Sequence, residues 1–297
     1  MKITNAMYMI SSTKLRKART SLENTEPYFF TLQSMIARII HHFHDVENVF
    51  FNERTEKAPE DRIKGLIVVT ADKGLAGAYN HNVLKAAQDM YESSKHCKLF
   101  VVGEAGRQYF KRKEIPIARH FDYSAQNPSL HRARVISEAV MEQFRCGKLD
   151  EVHIVYTCMK NSMVSELELK WILPFEKETF AMMKPEETDL YQEEILFDPS
   201  PSAVLDNILP DCVMGYIYGA LVESFCSEQN ARMMAMDAAN KSASEMIHNL
   251  SIQYNRVRQA MITQEITEVI SGAKAQKKKK DCAKEQLREK RRDIRVE

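Results

Sequence analysis

The sequence predicts an α/β protein in which a mainly parallel sheet is carried between two long terminal helices. Three observations predict it. The stretch from Asp211 to Ala275 contains no proline and only three glycines, Gly215, Gly219 and Gly272. The stretch from Ile3 to Phe51 contains no glycine and one proline, Pro27. Between them, short β-rich apolar runs alternate with helical segments, which is the pattern of βαβ units.

The N-terminal helix is expected over residues 3–51. Leu32, Ile36, Ile39 and Phe43 are spaced by four, three and four residues, which lines them along one face. Lys14, Arg16, Lys17 and Arg19 make its early part basic. His41, His42 and His44 invite a metal reading, but helical metal ligands sit three or four residues apart so that both rings reach one point. His41 and Asp45 alone share a face, and two ligands leave a site incomplete. Residues 52–62 are polar, hold Pro59 and read as a connector.

The sheet region follows. Strands are expected at 65–70 (GLIVVT), 98–103 (KLFVVG), 117–121 and 151–157 (EVHIVYT), with helices between them. The helix over 129–145 is expected to be capped by Asn127 and entered at Pro128. In 165–175, Leu167, Leu169 and Trp171 alternate with Glu166, Glu168 and Lys170. One side of such a strand is wet, which places it antiparallel at or near the sheet edge. Residues 176–200 are acidic and proline-bearing, so they read as a loop with at most a short strand at 194–197.

The C-terminal helix carries Ala231, Ala235, Ala238, Ser242, Met246, Leu250, Tyr254, Val257 and Met261 in steps of three and four residues, one helix face. At ~1.5 Å per residue the rod would be ~100 Å long. Gln229, Asn230, Asn240, Asn249, Gln253, Asn255, Gln259 and Thr263 are neutral polar, a surface for modest contacts with other proteins. The two terminal helices can meet as an antiparallel pair; a bundle with neither helix protruding fits the periodicity as well. The boundaries read from the sequence are 1–57, 58–200, 201–275 and a basic extension, 276–297.

Composition narrows function. The chain has 297 residues, 44% of them hydrophobic, enough for a core in one or two domains. A net charge of +1 implies no general attraction to polyanions. The extension holds ten basic and five acidic residues, however, and a basic run of this kind is expected to be solvated. Six cysteines, Cys97, Cys146, Cys158, Cys212, Cys226 and Cys282, include no CxxC pair, so neither a zinc site nor a disulfide framework is expected. No run of ~18 apolar residues and no signal-peptide core is present, so the expected setting is soluble and cytoplasmic-side.

The enzyme reading rests on residues 72–77, Asp72-Lys73-Gly74-Leu75-Ala76-Gly77, a strand-to-helix loop where α/β folds bind phosphates. It matches neither GxGxxG nor GxxxxGK[ST], since the lysine precedes the glycines and no Ser/Thr follows. No GxSxG, HExxH or Cys–His arrangement is present, so no catalytic, cofactor or metal residue is named. The alternative kept open is a soluble α/β enzyme taking a phosphorylated ligand at 72–77. A third, a nucleic-acid adaptor, rests on the basic extension alone.

KITNAMYMISSTKLRKAR at the start, ADKGLAGAYN after the first strand, SEQNARMMAMDAANKSASEMI and RQAMITQEITEVISGAKA at 258–275 together resemble the γ subunit of F-type ATP synthase. The likeness covers residues 2–275 in order, with the signature residues Ile262, Thr263, Glu265, Glu268, Gly272 and Ala273 at the family's spacings. The resemblance implies an antiparallel coiled coil of the terminal helices plus a central Rossmann-like, mainly parallel α/β domain. It implies a non-catalytic rotor coupling ion-driven c-ring rotation to ATP synthesis or hydrolysis on the β subunits. No cofactor is implied; the partners are the hexamer of α and β subunits, the ε subunit and the c-ring, at the cytoplasmic face of a bacterial plasma membrane.

By position, the resemblance makes Arg258 and Gln259 the pair that meets a β-subunit catch loop. Met7, Lys14, Arg16 and Lys17 fall near a β lever, and Lys73 and Ala76 lie in a loop approaching β. Ile195, Phe197 and Asp198 match the segment against the c-ring. Family members carry further residues before KIT-x-AM, ~30 Å of helix at the usual rise, so either the start is assigned too late or the N-terminal arm is short. The cysteine-bearing insert of the chloroplast form has no counterpart.

Overall fold

A computed structural model describes residues 2–43, 46–52, 57–121, 125, 127–161, 164–182, 197–198 and 200–293. It forms two compact units, Met1–Ala238 and Ala239–Glu297.

The first unit opens on α1 (Lys2–His42). This helix stops short of the expected 51. After it, Asn48 caps a 3-10 turn, Val49–Phe51, its Oδ1 accepting from Phe50 N at 3.0 Å. Pro27 sits inside α1 and removes one backbone donor, yet the helix runs on. The sheet then builds in order: β1 (Lys64–Val69), α2 (Tyr79–Ser93), β2 (Cys97–Val102), α3 (Glu104–Arg112), β3 (Ile117–Phe121), α4 (Leu130–Arg145), β4 (Glu151–Met159) and β5 (Ser165–Leu173). A short α5 (Lys177–Ala181) precedes α6 (Pro201–Asp293).

The strand order is β3-β2-β1-β4-β5, parallel except for β5, which runs antiparallel to β4 at the edge. Strand alternation divides the core. Ile67, Val69, Phe100, Val102 and Ile154 face α1, α4 and α6, whereas Leu66, Val68, Leu99 and Val101 face α2 and α3. Covered on both faces, β1 needs the unbroken apolar run that the sequence shows.

Two local expectations change. Ser129, not Asn127, caps α4, its Oγ accepting from Arg132 N at 3.4 Å. The edge strand is inverted relative to a simple reading of its pattern. Leu167, Leu169 and Trp171 are exposed, while Glu168 and Lys170 are half-buried toward α6, with Lys170 Nζ 4.8 Å from the Tyr216 ring centre.

The last helix begins at Pro201. Ser200 caps it, its Oγ accepting from Ala203 N at 3.2 Å, and proline at the first helical position leaves no missing bond. It passes through Pro210 and continues to Asp293, so the basic extension is helical instead of frayed as far as that residue. Within the first unit α1 and α6 pair antiparallel. Ser21 Oγ lies 3.1 Å from Tyr218 Oη, and farther along α1, Phe29 packs on the earlier residue Gly215. A Cβ at Gly215 would lie 2.3 Å from the Phe29 ring, so the glycine sets how closely the helices approach. The short strand expected at 194–197 falls largely outside the described residues.

Candidate functional site

The loop of residues 71–78 leaves the central strand β1 at the carboxyl end of the sheet. There β1 lies between β2 and β4 and the strand order turns, the position where open α/β sheets receive ligands. In this chain α6 occupies it. Leu221, Ser224, Phe225 and Glu228 close over Val69, Thr70, Val102 and Phe121, leaving a cavity of about 20 Å³, room for a single water.

The closure is polar as well as apolar. Tyr79 Oη and Ser224 Oγ lie 2.6 Å apart. Arg232 Nη2 pairs with Glu228 Oε1 at 2.6 Å, their side chains 11% and 2% exposed, and donates to the Gly74 carbonyl at 3.2 Å. Burial pushes the Glu228 carboxyl above its ordinary range, with Arg232 pulling the other way. The loop's carboxylate is committed to structure: Asp72 Oδ1 accepts from Glu104 N at 3.3 Å and Oδ2 from Ala125 N at 2.7 Å. Helix α2 starts without a side-chain cap behind Ala78. A phosphate would meet a carboxylate and a helix where its cradle should be, so the phosphoryl-ligand alternative finds no support.

Thiol chemistry fares no better. Burial raises Cys97 and Cys226 to about 11 and Cys212 to about 12, which keeps them protonated and unreactive. His42 Nδ1 lies 2.9 Å from the Arg38 carbonyl; His44 and Asp45 lie outside the described residues.

The partner-contact residues expected from the sequence fall in separate places. On α1, Met7 and Lys14 are half-buried, and Arg16 and Lys17 are exposed. Lys73 is exposed at the loop tip. Ala76 is not available there: it is 2% exposed and packs with Ala71, Tyr79 and Ala231. Its neighbour Leu75 is presented instead, 65% exposed with φ of 65°. Ile195 lies outside the described residues, Asp198 is exposed, and Phe197 stacks edge-on against Phe43 at 5.7 Å.

Arg258, Gln259 and the signature residues belong to the second unit. All are exposed. The Gln259 carbonyl accepts from Thr263 Oγ1 at 2.8 Å, and Glu268 Oε1 from Gln264 Nε2 at 3.0 Å. Ile262, Glu265 and Ala273 point outward, and a Cβ at Gly272 would meet open space. Every residue from Ser244 to Lys280 is exposed. Met246, Leu250, Tyr254, Val257 and Met261 form the expected stripe. A second stripe, which the sequence reading passed over, holds Ile252, Ile262, Ile266, Val269 and Ile270. At 100° per residue the second stripe faces well away from the first.

A family profile described as ATP synthase matches residues 1–276. The chain is 42% identical over 274 residues to the ATP synthase gamma chain of Ruminiclostridium cellulolyticum, with 92% of each chain covered. It is 36% identical over 287 residues to the sodium ion specific ATP synthase gamma chain of Acetobacterium woodii, with 93% of each covered. Its fold is similar to a chain in the central stalk and c-ring structure of Tetrahymena thermophila mitochondrial ATP synthase, at a TM-score of 0.59 and 23% identity, covering 80% of this chain and 99% of that one.

Proposed function

The chain belongs to the ATP synthase γ-chain family, and from that premise we propose which of its surfaces do the work of a central-stalk rotor. As a γ chain it is a non-catalytic subunit that couples ion-driven rotation to ATP synthesis or hydrolysis on β subunits. The filled crevice fits this role, since the sheet domain holds the helix where an enzyme would hold substrate.

The observation that carries the reading is the bare helix of the second unit. Its apolar side chains emerge on two faces, so a single companion helix would leave one of them in water. At ~25 cal/mol per Å² of apolar surface buried, covering both gives ample reason for a sleeve of subunits around the helix. The intervening amides and hydroxyls keep any one contact modest, because a grip of several kcal/mol would trap one orientation. We assign that sleeve to the hexamer of α and β subunits. Arg258 and Gln259 provide the directional contact to β, with Met7, Lys14 and Arg16 as a second patch. Lys73 and Leu75 form the loop contact, Leu75 taking the place expected of Ala76. Ile195, Phe197 and Asp198 face the c-ring, and the ε subunit completes the foot at the cytoplasmic face of the membrane.

The test is reconstitution with α and β subunits from the same source. The lone chain is expected to hydrolyse no ATP and the assembled complex to be active. R258A/Q259A should leave the chain's stability within about 0.5 kcal/mol while lowering ATPase or coupling in the complex. Nucleotide turnover by the chain alone, or full activity of the complex without it, would sink the proposal.

A further inference from the structure

We propose that a proton on Glu223 of α6, beside Glu168 of β5, latches α6 to the β4–β5 edge of the sheet. The latch is then a pH-sensitive joint between the helix and the domain that carries it.

The geometry comes from three elements. Tyr156 Oη donates to Glu168 Oε2 at 2.9 Å. Oxygen and sulfur atoms of Glu168, Glu223 and Cys158 all lie within 4.8 Å of one another. A phenol has one proton to give. Tyr156 gives that proton to Glu168, which leaves the Glu223 carboxyl to carry a proton of its own. Two half-buried carboxylates this close cannot both ionise cheaply.

The surroundings do not neutralise the pair. From β5, Lys170 lies nearby but is drawn over the Tyr216 ring, and from α1, Glu26 adds a further negative charge. Glu166 contributes another toward Cys158. One turn along α6, Cys226 feels the charges of both Glu223 and Arg19 of α1. Burial first, then Glu168, raises the Glu223 carboxyl above its ordinary 4.5, while Tyr156 and Lys170 oppose the shift. A carboxyl raised by folding stabilises the folded state below its ordinary value, and that contribution is lost as pH rises through the raised one. The joint is therefore tight in acid and loosens as the medium becomes alkaline. In the rotor assigned above, torque crosses this seam between sheet domain and helix.

The experiment reads the seam itself, so its outcome is separate from the rotor assignment. Amide hydrogen exchange of the full chain is followed in segments 152–158, 165–171 and 219–226 across the range from mildly acid to mildly alkaline. After correction for intrinsic exchange, the wild-type opening constant should climb by up to about tenfold per pH unit. E223Q, which keeps a neutral donor in place, should hold these segments closed with a flat profile. E168Q, which removes the neighbouring charge, should flatten it in part and serves if E223Q folds poorly. A flat wild-type profile, or an unchanged slope in both variants, overturns the proposal. So does protection by added Zn²⁺ in the wild type that E223Q abolishes, which would assign the cluster to a cation.

Discussion

Arg232 is the residue whose loss should tell most about how the sheet domain holds α6. In R232M the Glu228 carboxylate keeps its position, 2% exposed, and loses its ion partner at 2.6 Å. Gln229 Nε2, at 3.4 Å from Glu228 Oε1, is too distant to replace it. The Gly74 carbonyl also loses a donor. Breaking one side of a buried pair costs about 3–5 kcal/mol, and the residual pull of Lys14 favours the lower end. Burial already raises Glu228, so its stabilising contribution exists below the ordinary carboxylate range and falls as pH climbs through the raised value. Removing Arg232 raises it further, so R232M should be least harmful in mild acid and worst above neutrality. E228Q/R232M, with no charge left to bury, should regain roughly 2 kcal/mol of the loss at alkaline pH. Trp171, the single tryptophan, reports the first unit in urea titrations of the full chain. A loss below about 0.5 kcal/mol for R232M at both ends of the pH range, or a double variant no more stable than R232M, would refute the reasoning.

Three other substitutions separate packing from partner contact. At Gly103, φ is 95° and a Cβ would lie 2.2 Å from the Thr70 carbonyl oxygen, so G103A should cost more than about 3 kcal/mol; urea midpoints check it, and a fall under 1 kcal/mol would contradict the close approach. L75G relieves a left-handed backbone at an exposed leucine and should leave the free chain as stable or slightly more so, by up to about 1 kcal/mol, while weakening assembly with β in a pull-down titration. Unchanged assembly would remove Leu75 from the contact. Thr157 Oγ1 is buried with no hydrogen-bond partner, so T157V should stabilise the chain by about 1 kcal/mol; a lower melting temperature would show that the hydroxyl is satisfied.

The sheet was legible because its signal is local. The unbroken run at Leu66–Val69 can only be a strand covered on both faces, and the alternation at Leu167–Trp171 marks an edge. What the alternation could not give is which side is wet, since that depends on α6 bringing Glu223 and Tyr216 to the side of Glu168 and Lys170. Pro210 lies inside α6, and a helix tolerates a proline when packing on both sides holds the turns, as Leu205, Leu209 and Val213 do here. At the candidate site, the exposure of Lys73 and of the residues near 258 agrees with their place in the motifs. The burial of Ala76 was not legible, because two residues of one loop can point oppositely, and Leu75 takes the outward place through a backbone angle that no pattern encodes. The Glu168–Glu223–Cys158 cluster joins residues 10 to 65 positions apart, a spacing with no motif.

The filling of the crevice bears on what a rotor mount must resist. Leu221 and Phe225 are worth roughly 1.5–3 kcal/mol each for burial, and apolar contacts of that kind would hold α6 down with little preference for its rotation about its own axis. Yet residues 227–230, Ser227, Glu228, Gln229 and Asn230, are all buried, so this stretch of the helix is enclosed and polar at once. Hydrogen bonds are directional. A turn of α6 by one residue, 100°, carries Ser224 away from Tyr79 and Arg232 away from the Gly74 carbonyl. An ion pair of this sort adds little net stability over an apolar substitute, so its value here lies in fixing the angle at which the helix is clamped. E228Q/R232M discriminates between the two roles. It should recover stability but not the angular grip, so ATP synthesis driven by an imposed ion gradient in the reconstituted complex should stay below wild type while the urea midpoint returns toward it. Full recovery of both would mean that burial alone sets the mount.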